Sequence, residues 1–159
     1  MEENIKLHEK YMKAALKLAK KAFDSNEVPV GAVIVHDGKI IARGCNKCES
    51  AKNALAHAEI IAIKKATKKL GGWRLIDCTM YVTLEPCCMC GGAIINSRIP
   101  HVVFGAYNKK AGALGSIYNI GEGKLNHKPL LTGGILGEEC AKLLSDYFKD
   151  KRQNNVKAK

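Results

Sequence analysis

The sequence lacks any apolar run that approaches the roughly 18 residues needed to span a membrane. Its opening stretch, MEENIKLHEK, carries acidic side chains and has none of the apolar core of a secretion signal. It also lacks internal repeats, a compositionally biased linker and low-complexity blocks. These absences argue against a membrane, secreted or repeat protein, and they predict a single cytoplasmic domain.

Acidic residues are scarce beside basic ones, with 15 Asp and Glu against 26 Lys and Arg and a net charge of +11. A small basic domain attracts polyanions, nucleic acid first among them, although such charge could equally serve solubility. Two groups of basic residues stand out. One recurs at helical spacing near the start of the chain and the other lies at its end: Lys6, Lys10, Lys13, Lys17 and Lys20, then Lys149, Lys151, Arg152, Lys157 and Lys159.

Apolar periodicity predicts a helix over 5–23, with Leu7, Tyr11, Ala14, Leu18 and Ala22 on its buried face. The β-branched run 30–35, the Asp-Gly turn and the stretch 39–44 predict an antiparallel hairpin. After a loop at 46–53, the pattern predicts helices at 56–69 and 87–97 and strands at 79–85, 101–105 and 129–132. The stretch 105–128 shows no periodicity and is expected to be a functional loop.

A strand, a helix and a strand within 79–105 imply a parallel, right-handed crossover. Together with the hairpin, this predicts an α/β fold, a three-layer α/β/α sandwich with a mixed sheet of about five strands. A final helix after Gly134 is expected to end near Lys151. We therefore expect one domain over 1–152, followed by a polar tail over 153–159.

The segment AHAEII at 56–61 places His57 and Glu59 two positions apart in an apolar run. Two helical steps rotate a side chain by roughly 200°, so no single helix face accounts for both residues. Side chains in the first turn can instead extend past the end of a helix. Cys87 and Cys90 follow Pro86 at another helix start, so the two helix starts can point to one position.

Two thiolates and an imidazole form a recognised zinc ligand set, and three protein ligands leave the fourth position of Zn²⁺ open to water, as in catalytic sites. Water bound there can ionise near pH 7 and attack as hydroxide. Glu59 is then free to accept the proton and pass it to a substrate nitrogen and the departing amine.

Two alternatives remain at this stage. The histidine and the cysteines could be ordinary buried residues. Alternatively, Cys45 and Cys48 could join Cys87 and Cys90 in a closed four-thiolate site, although this would leave His57 and Glu59 without a role. Cys45 and Cys48 could also form a redox pair or have no chemical role.

An odd number of cysteines argues against a disulfide framework. The seven are Cys45, Cys48, Cys78, Cys87, Cys88, Cys90 and Cys140.

The pattern H-x-E followed by P-C-x-x-C is the signature of zinc nucleobase deaminases. Over nearly its whole length the chain resembles the bacterial tRNA-specific adenosine deaminases of the zinc-dependent cytidine/deoxycytidylate deaminase superfamily. The resemblance rests on EVPVGAVIV, AHAEI, RLID, YVTLEPC, MCGGAI, SRI, VVFGA and GILGEECAKLLSDYF. It implies a cytidine deaminase-like fold, a homodimer, one Zn²⁺ per chain, and hydrolytic deamination of the wobble adenosine of tRNA(Arg) to inosine by attack at adenine C6.

The resemblance also implies roles for individual residues. His57, Cys87 and Cys90 would bind zinc and Glu59 would carry protons. Asn46 would hydrogen-bond the flipped adenine, and Pro29 and the backbone at Ala58 would shape its pocket. Tyr147 and Phe148 on the last helix would help to hold the anticodon loop of the tRNA.

The chain departs from the family pattern at Asn108, where the family usually has aspartate. Because asparagine donates hydrogen bonds as well as accepting them, we expect weaker discrimination between ribose and deoxyribose, which matched RNA and DNA hairpins would measure.

Two other functions are compatible with the motifs. A free guanine, cytosine or nucleoside deaminase would share the zinc site but would not need the basic charge. A catalytically silent, nucleic-acid-binding zinc protein would not need Glu59.

Overall fold

The computed structural model describes residues 1–158 and contains one five-stranded sheet with the order β2-β1-β3-β4-β5. The strands are β1 (Gly31–His36), β2 (Lys39–Cys45), β3 (Cys78–Leu84), β4 (His101–Ala106) and β5 (Leu130–Thr132). β1 pairs antiparallel with both β2 and β3, whereas β3, β4 and β5 run parallel. The expected hairpin and parallel crossover are both present, so the sheet is mixed as predicted.

Helices cover both faces of this sheet. They are α1 (Glu2–Asp24), α2 (Cys48–Ala51), α3 (Ala58–Leu70), α4 (Cys88–Asn96) and α5 (Gly137–Lys157). Alternate residues of β1 enter different cores: Ala32 and Ile34 pack with residues of α3 and α4, while Val33 and Val35 pack with α1 and α5. The predicted three-layer sandwich is therefore confirmed.

The buried face of α1 differs from the predicted one. The residues that point inward are Tyr11, Met12, Ala15, Leu16, Ala19 and Ala22, whereas Leu7 remains 45% exposed. The helix is rotated about its axis relative to the prediction, and small residues explain why. A Cβ at Gly31 on β1 would lie 2.1 Å from the Ala15 carbonyl oxygen. The helix packs so closely that the face carrying alanines meets the sheet. The five lysines of the predicted row are all exposed.

Three other elements differ from the sequence prediction. The loop expected at 46–53 contains α2, and the aperiodic stretch contains a single 3₁₀ turn at Ile120–Glu122. The last helix continues to Lys157, so residues 152–157 are not the frayed tail expected after Lys151; Lys159 lies outside the described residues. No helix in the described part of the chain combines the length and apolarity that crossing a bilayer requires.

Candidate active site

Two helix N-termini meet at one point beside the sheet. His57 is the N-cap residue of α3 and Cys87 is the N-cap residue of α4, with Cys90 in the first turn of α4. The Nδ1 atom of His57 lies 3.7 Å from Sγ of Cys87 and 3.4 Å from Sγ of Cys90. Among the described residues, these three side chains form the one cluster of potential metal ligands, with all ligand atoms within 4.8 Å of each other.

The spacing of these atoms fits a tetrahedral zinc ion. Zn–S bonds of about 2.3 Å and Zn–N bonds of about 2.0 Å at tetrahedral angles place S and N roughly 3.5 Å apart. The observed separations of 3.4 and 3.7 Å agree with that value. The positive ends of two helix dipoles also favour thiolates here. Hydrogen bonds from Cys90 and His57 lower the pKa of Cys87 to about 3.

Glu59 lies beside this cluster without belonging to it. Its side chain is 4% exposed, in the first turn of α3. Burial raises the pKa of Glu59 above its ordinary value, and the N–H of its own backbone and the Cys90 thiol only partly offset this. A carboxyl group with a raised pKa can take up and release protons nearer to neutral pH, as general acid–base catalysis requires.

A cavity of about 230 Å³ opens onto these residues. Its lining includes His57, Ala58, Glu59 and Cys87, together with Asn46, Glu85 and Asn108. The cavity lining therefore contains two of the three predicted metal ligands, the predicted proton carrier and three of the predicted substrate-binding residues, while Cys90 lies buried behind it.

The amide of Asn46 is held in a fixed orientation. Its Nδ2 donates to the Val28 carbonyl at 3.3 Å and its Oδ1 accepts from the Cys48 backbone N–H at 3.2 Å. One N–H and one lone pair remain for a ligand. Asn108 Oδ1 similarly accepts from the backbone N–H groups of Lys110 and Ala111, which an aspartate could do equally well.

The three remaining predicted site residues lie outside the cavity lining. Pro29 is buried and does not line the cavity; its neighbours Val28 and Val30 do. Tyr147 is 5% exposed and its hydroxyl donates to the Asn26 carbonyl at 3.3 Å, so it supports the segment before Val28 and does not present a surface to RNA. Phe148 is 45% exposed and can contact a partner, in contrast to a core aromatic residue.

The four-thiolate alternative is wrong, because the cluster formed by the described residues excludes Cys45 and Cys48. Cys45 is buried, and Cys48 lines the cavity with its thiol 3.9 Å from the Ala54 carbonyl oxygen. Burial raises the pKa of Cys48, as do Glu27 and Glu49, which opposes a reactive thiolate at this position.

Two buried carboxylates near the cavity were missed by the sequence analysis. Glu27 and Glu85 are each 1% exposed, and both accept hydrogen bonds from the backbone of segments that carry cavity residues. Both glutamates stand directly before a motif, VPVG or PC, and this position could have indicated a role near the site. A single sequence, however, does not show whether a glutamate is buried.

Comparison with known proteins agrees with this site. The MafB19-like deaminase family matches residues 6–149. A tRNA-specific adenosine deaminase of Bacillus subtilis is 47% identical over 152 residues, covering 95% of this chain and 94% of that protein. The chain belongs to the tRNA-specific adenosine deaminase family. A second member, from Streptococcus pyogenes serotype M1, is 45% identical over 94% of this chain and 88% of its own length.

Solved structures of deaminases have the same fold. One, from studies of A-to-I editing by tRNA:A34 deaminases at the wobble position of transfer RNA, aligns with a TM-score of 0.82 at 40% identity, covering 84% of this chain and 97% of the other. A guanine deaminase from Bacillus subtilis aligns with a TM-score of 0.60 at 44% identity, covering 63% and 64%. The α/β fold of this chain is therefore that of solved deaminases.

Proposed function

We propose that this chain carries out the reaction of its family, the hydrolytic deamination of adenosine to inosine at the wobble position of tRNA, and that its substrate is tRNA(Arg). The observation that carries the proposal is the buried Glu59 beside the cluster of His57, Cys87 and Cys90, in the lining of a cavity that Asn46 also lines.

The three clustered side chains would hold one Zn²⁺, which when bound supplies water that ionises near neutral pH. Glu59 accepts the proton of the attacking water and delivers it to the adenine ring nitrogen, and then carries a second proton to the exocyclic amine. A C6–O bond forms, the C6–N6 bond breaks, and ammonia leaves.

Asn46 would hydrogen-bond the flipped adenine with the N–H and the lone pair that its internal bonds leave free. The backbone at Ala58 would shape the pocket beside the base, and Asn108, which also lines the cavity, would contact the ribose. A base in an anticodon loop is already partly unstacked, so its extrusion into the cavity costs less than extrusion from a duplex.

The exposed lysines of α1 and the exposed Phe148 of α5 supply surface for the anticodon stem-loop. None of the five lysines in the α1 row takes part in a salt bridge within the described residues, so their charge is available to phosphates. The family resemblance further supports a homodimer that acts in the cytoplasm.

The test is to incubate the zinc-loaded protein with an anticodon stem-loop of tRNA(Arg) and sequence the product, because inosine is copied as guanosine. We expect an A-to-G change at the wobble position alone. Free guanine, cytosine and nucleosides are incubated in parallel and ammonia is measured. Ammonia from these, with no inosine in the RNA, would instead support a free-base or nucleoside deaminase, and no product from any substrate would contradict both.

A further inference from the structure

The carboxylate of Glu85 lies buried between two parts of the active site. Its side chain is 1% exposed, yet it makes no salt bridge within the described residues. Its Oε1 accepts from the Asn108 N–H at 3.3 Å and from the Ser116 hydroxyl. Its Oε2 accepts from the N–H groups of Leu114 and Ser116 at 3.2 and 3.1 Å. A buried charge is thus compensated entirely by one neighbouring loop.

This loop, residues 107–116, is termed the wall segment here because its Asn108 lines the cavity. Glu85 itself directly precedes Pro86 and the ligand Cys87. A further bond runs from the Ala113 N–H to the Pro86 carbonyl oxygen at 2.9 Å. One side chain therefore ties the metal-binding turn to the wall segment, and both of these carry residues that line the cavity.

The fit between Glu85 and the wall segment is tight. A Cβ added at Gly112 would lie 2.3 Å from Oε2 of Glu85 and 2.5 Å from the Asn108 carbonyl oxygen. Ala113 and Leu114 are 0% and 3% exposed. Residues 112–114 of the wall segment are therefore packed like core residues, although the segment has almost no regular secondary structure.

We propose that Glu85 is a positioning residue for the substrate cavity: it holds the wall segment, and with it Asn108, in register with the metal-binding turn. The part of this proposal that concerns catalysis rests on the proposed function, whereas the part that concerns the wall segment does not.

The sharpest variant is Glu85→Gln. An amide keeps the shape but offers one acceptor oxygen, and the N–H groups of Leu114 and Ser116 both require that oxygen at the Oε2 position. The NH₂ group of the glutamine then takes the Oε1 position. The Asn108 N–H there meets another donor and loses its hydrogen bond, whereas the Ser116 hydroxyl can turn and accept a hydrogen bond from the NH₂ group. The variant therefore releases Asn108 selectively.

Two measurements are made on zinc-loaded protein. Hydrogen exchange of the wall segment is expected to become roughly ten- to hundredfold faster in Glu85→Gln, the factor that corresponds to one charge-assisted hydrogen bond, while exchange in β1 and α1 stays unchanged. The KM for the stem-loop is expected to rise by a similar factor, with kcat per bound zinc nearly unchanged.

Gly112→Ala provides an independent route to the same state, with Gly123→Ala as its matched control. A Cβ at Gly123 would meet only the Ile120 carbonyl oxygen, at 3.5 Å. We expect Gly112→Ala to reproduce both effects and Gly123→Ala to show neither.

Unchanged exchange in the wall segment of Glu85→Gln would overturn the proposal. So would faster exchange throughout the protein, or a loss of active fraction at constant KM, because either result describes a purely structural glutamate. If the wild-type protein does not act on the stem-loop, the proposed function has failed, and the exchange measurement still decides whether Glu85 holds the wall segment.

Discussion

Gly44→Ala is expected to damage the active site by displacing α3, without replacing any residue that lines the cavity. Gly44 on β2 lies under the first turn of α3. A Cβ there would be 2.3 Å from the Ala58 carbonyl oxygen and 3.0 Å from the Ala62 nitrogen. Both atoms belong to the helix backbone, so no side-chain rotation can relieve the overlap. To reach the 3.4 Å of ordinary contact, α3 must move away from the sheet by about 1 Å.

His57 and Glu59 move with that turn. Overpacking of this kind costs about 1–3 kcal/mol of stability, which for a chain of this length lowers Tm by roughly 2–12 °C. A displacement of about 1 Å at reacting groups can reduce the rate about 100-fold. The assay is the thermal melt of the zinc-loaded protein together with inosine formation per bound zinc.

Gly72→Ala is the matched control, because no atom lies within 4 Å of a Cβ at that position. The reasoning is refuted if Gly44→Ala melts and reacts like the wild type, or if Gly72→Ala is impaired to the same degree.

Three further predictions concern side chains in or near the cavity. Glu59→Gln should keep its metal, measured by elemental analysis, while inosine formation falls about 10²–10⁴-fold; near-normal turnover would remove Glu59 from the mechanism. Cys87→Ala and Cys90→Ala should lose the metal, and full retention in either variant would contradict the ligand assignment. Burial raises the pKa of Glu27, but hydrogen bonds from the Ser50 and Glu49 backbone lower it more, so the folded state has a pKa below the ordinary 4.5. Its stabilisation is present above that pH and is lost as pH falls through the folded pKa. The stability difference between wild type and Glu27→Gln in urea unfolding should therefore shrink on acidification, and a constant difference would contradict this.

Local patterns were sufficient to predict most of the fold. The β-branched run before Asp37 and the strand, helix and strand around Pro86 fixed the hairpin and the parallel crossover. The face of α1 was predicted less well, because its orientation depends on how closely Ala15 can approach Gly31, which is a tertiary property. The predicted α5 was too short. Its end was placed where the sequence becomes uniformly polar, near Lys151, but the helix continues through polar residues to Lys157.

The cluster of potential metal ligands and the adjacent Glu59 were predictable because these residues lie at helix starts marked by short motifs. The predicted substrate-binding residues differ in how deeply they are buried. Asn46 and Asn108 line the cavity, whereas Tyr147 is buried against the Asn26 segment and Pro29 is buried without lining the cavity. Glu85 escaped prediction because its partners lie more than 20 residues along the chain, in a loop without periodicity.

The central claim is that three protein side chains bind the metal while Glu59 stands beside them as a proton carrier. X-ray absorption at the zinc edge tests it directly on the wild type and on Glu59→Gln. The account predicts two sulfur ligands and one imidazole from the protein, with the same spectrum in both proteins. A third sulfur, or the loss of an oxygen ligand on Glu59→Gln, would contradict it.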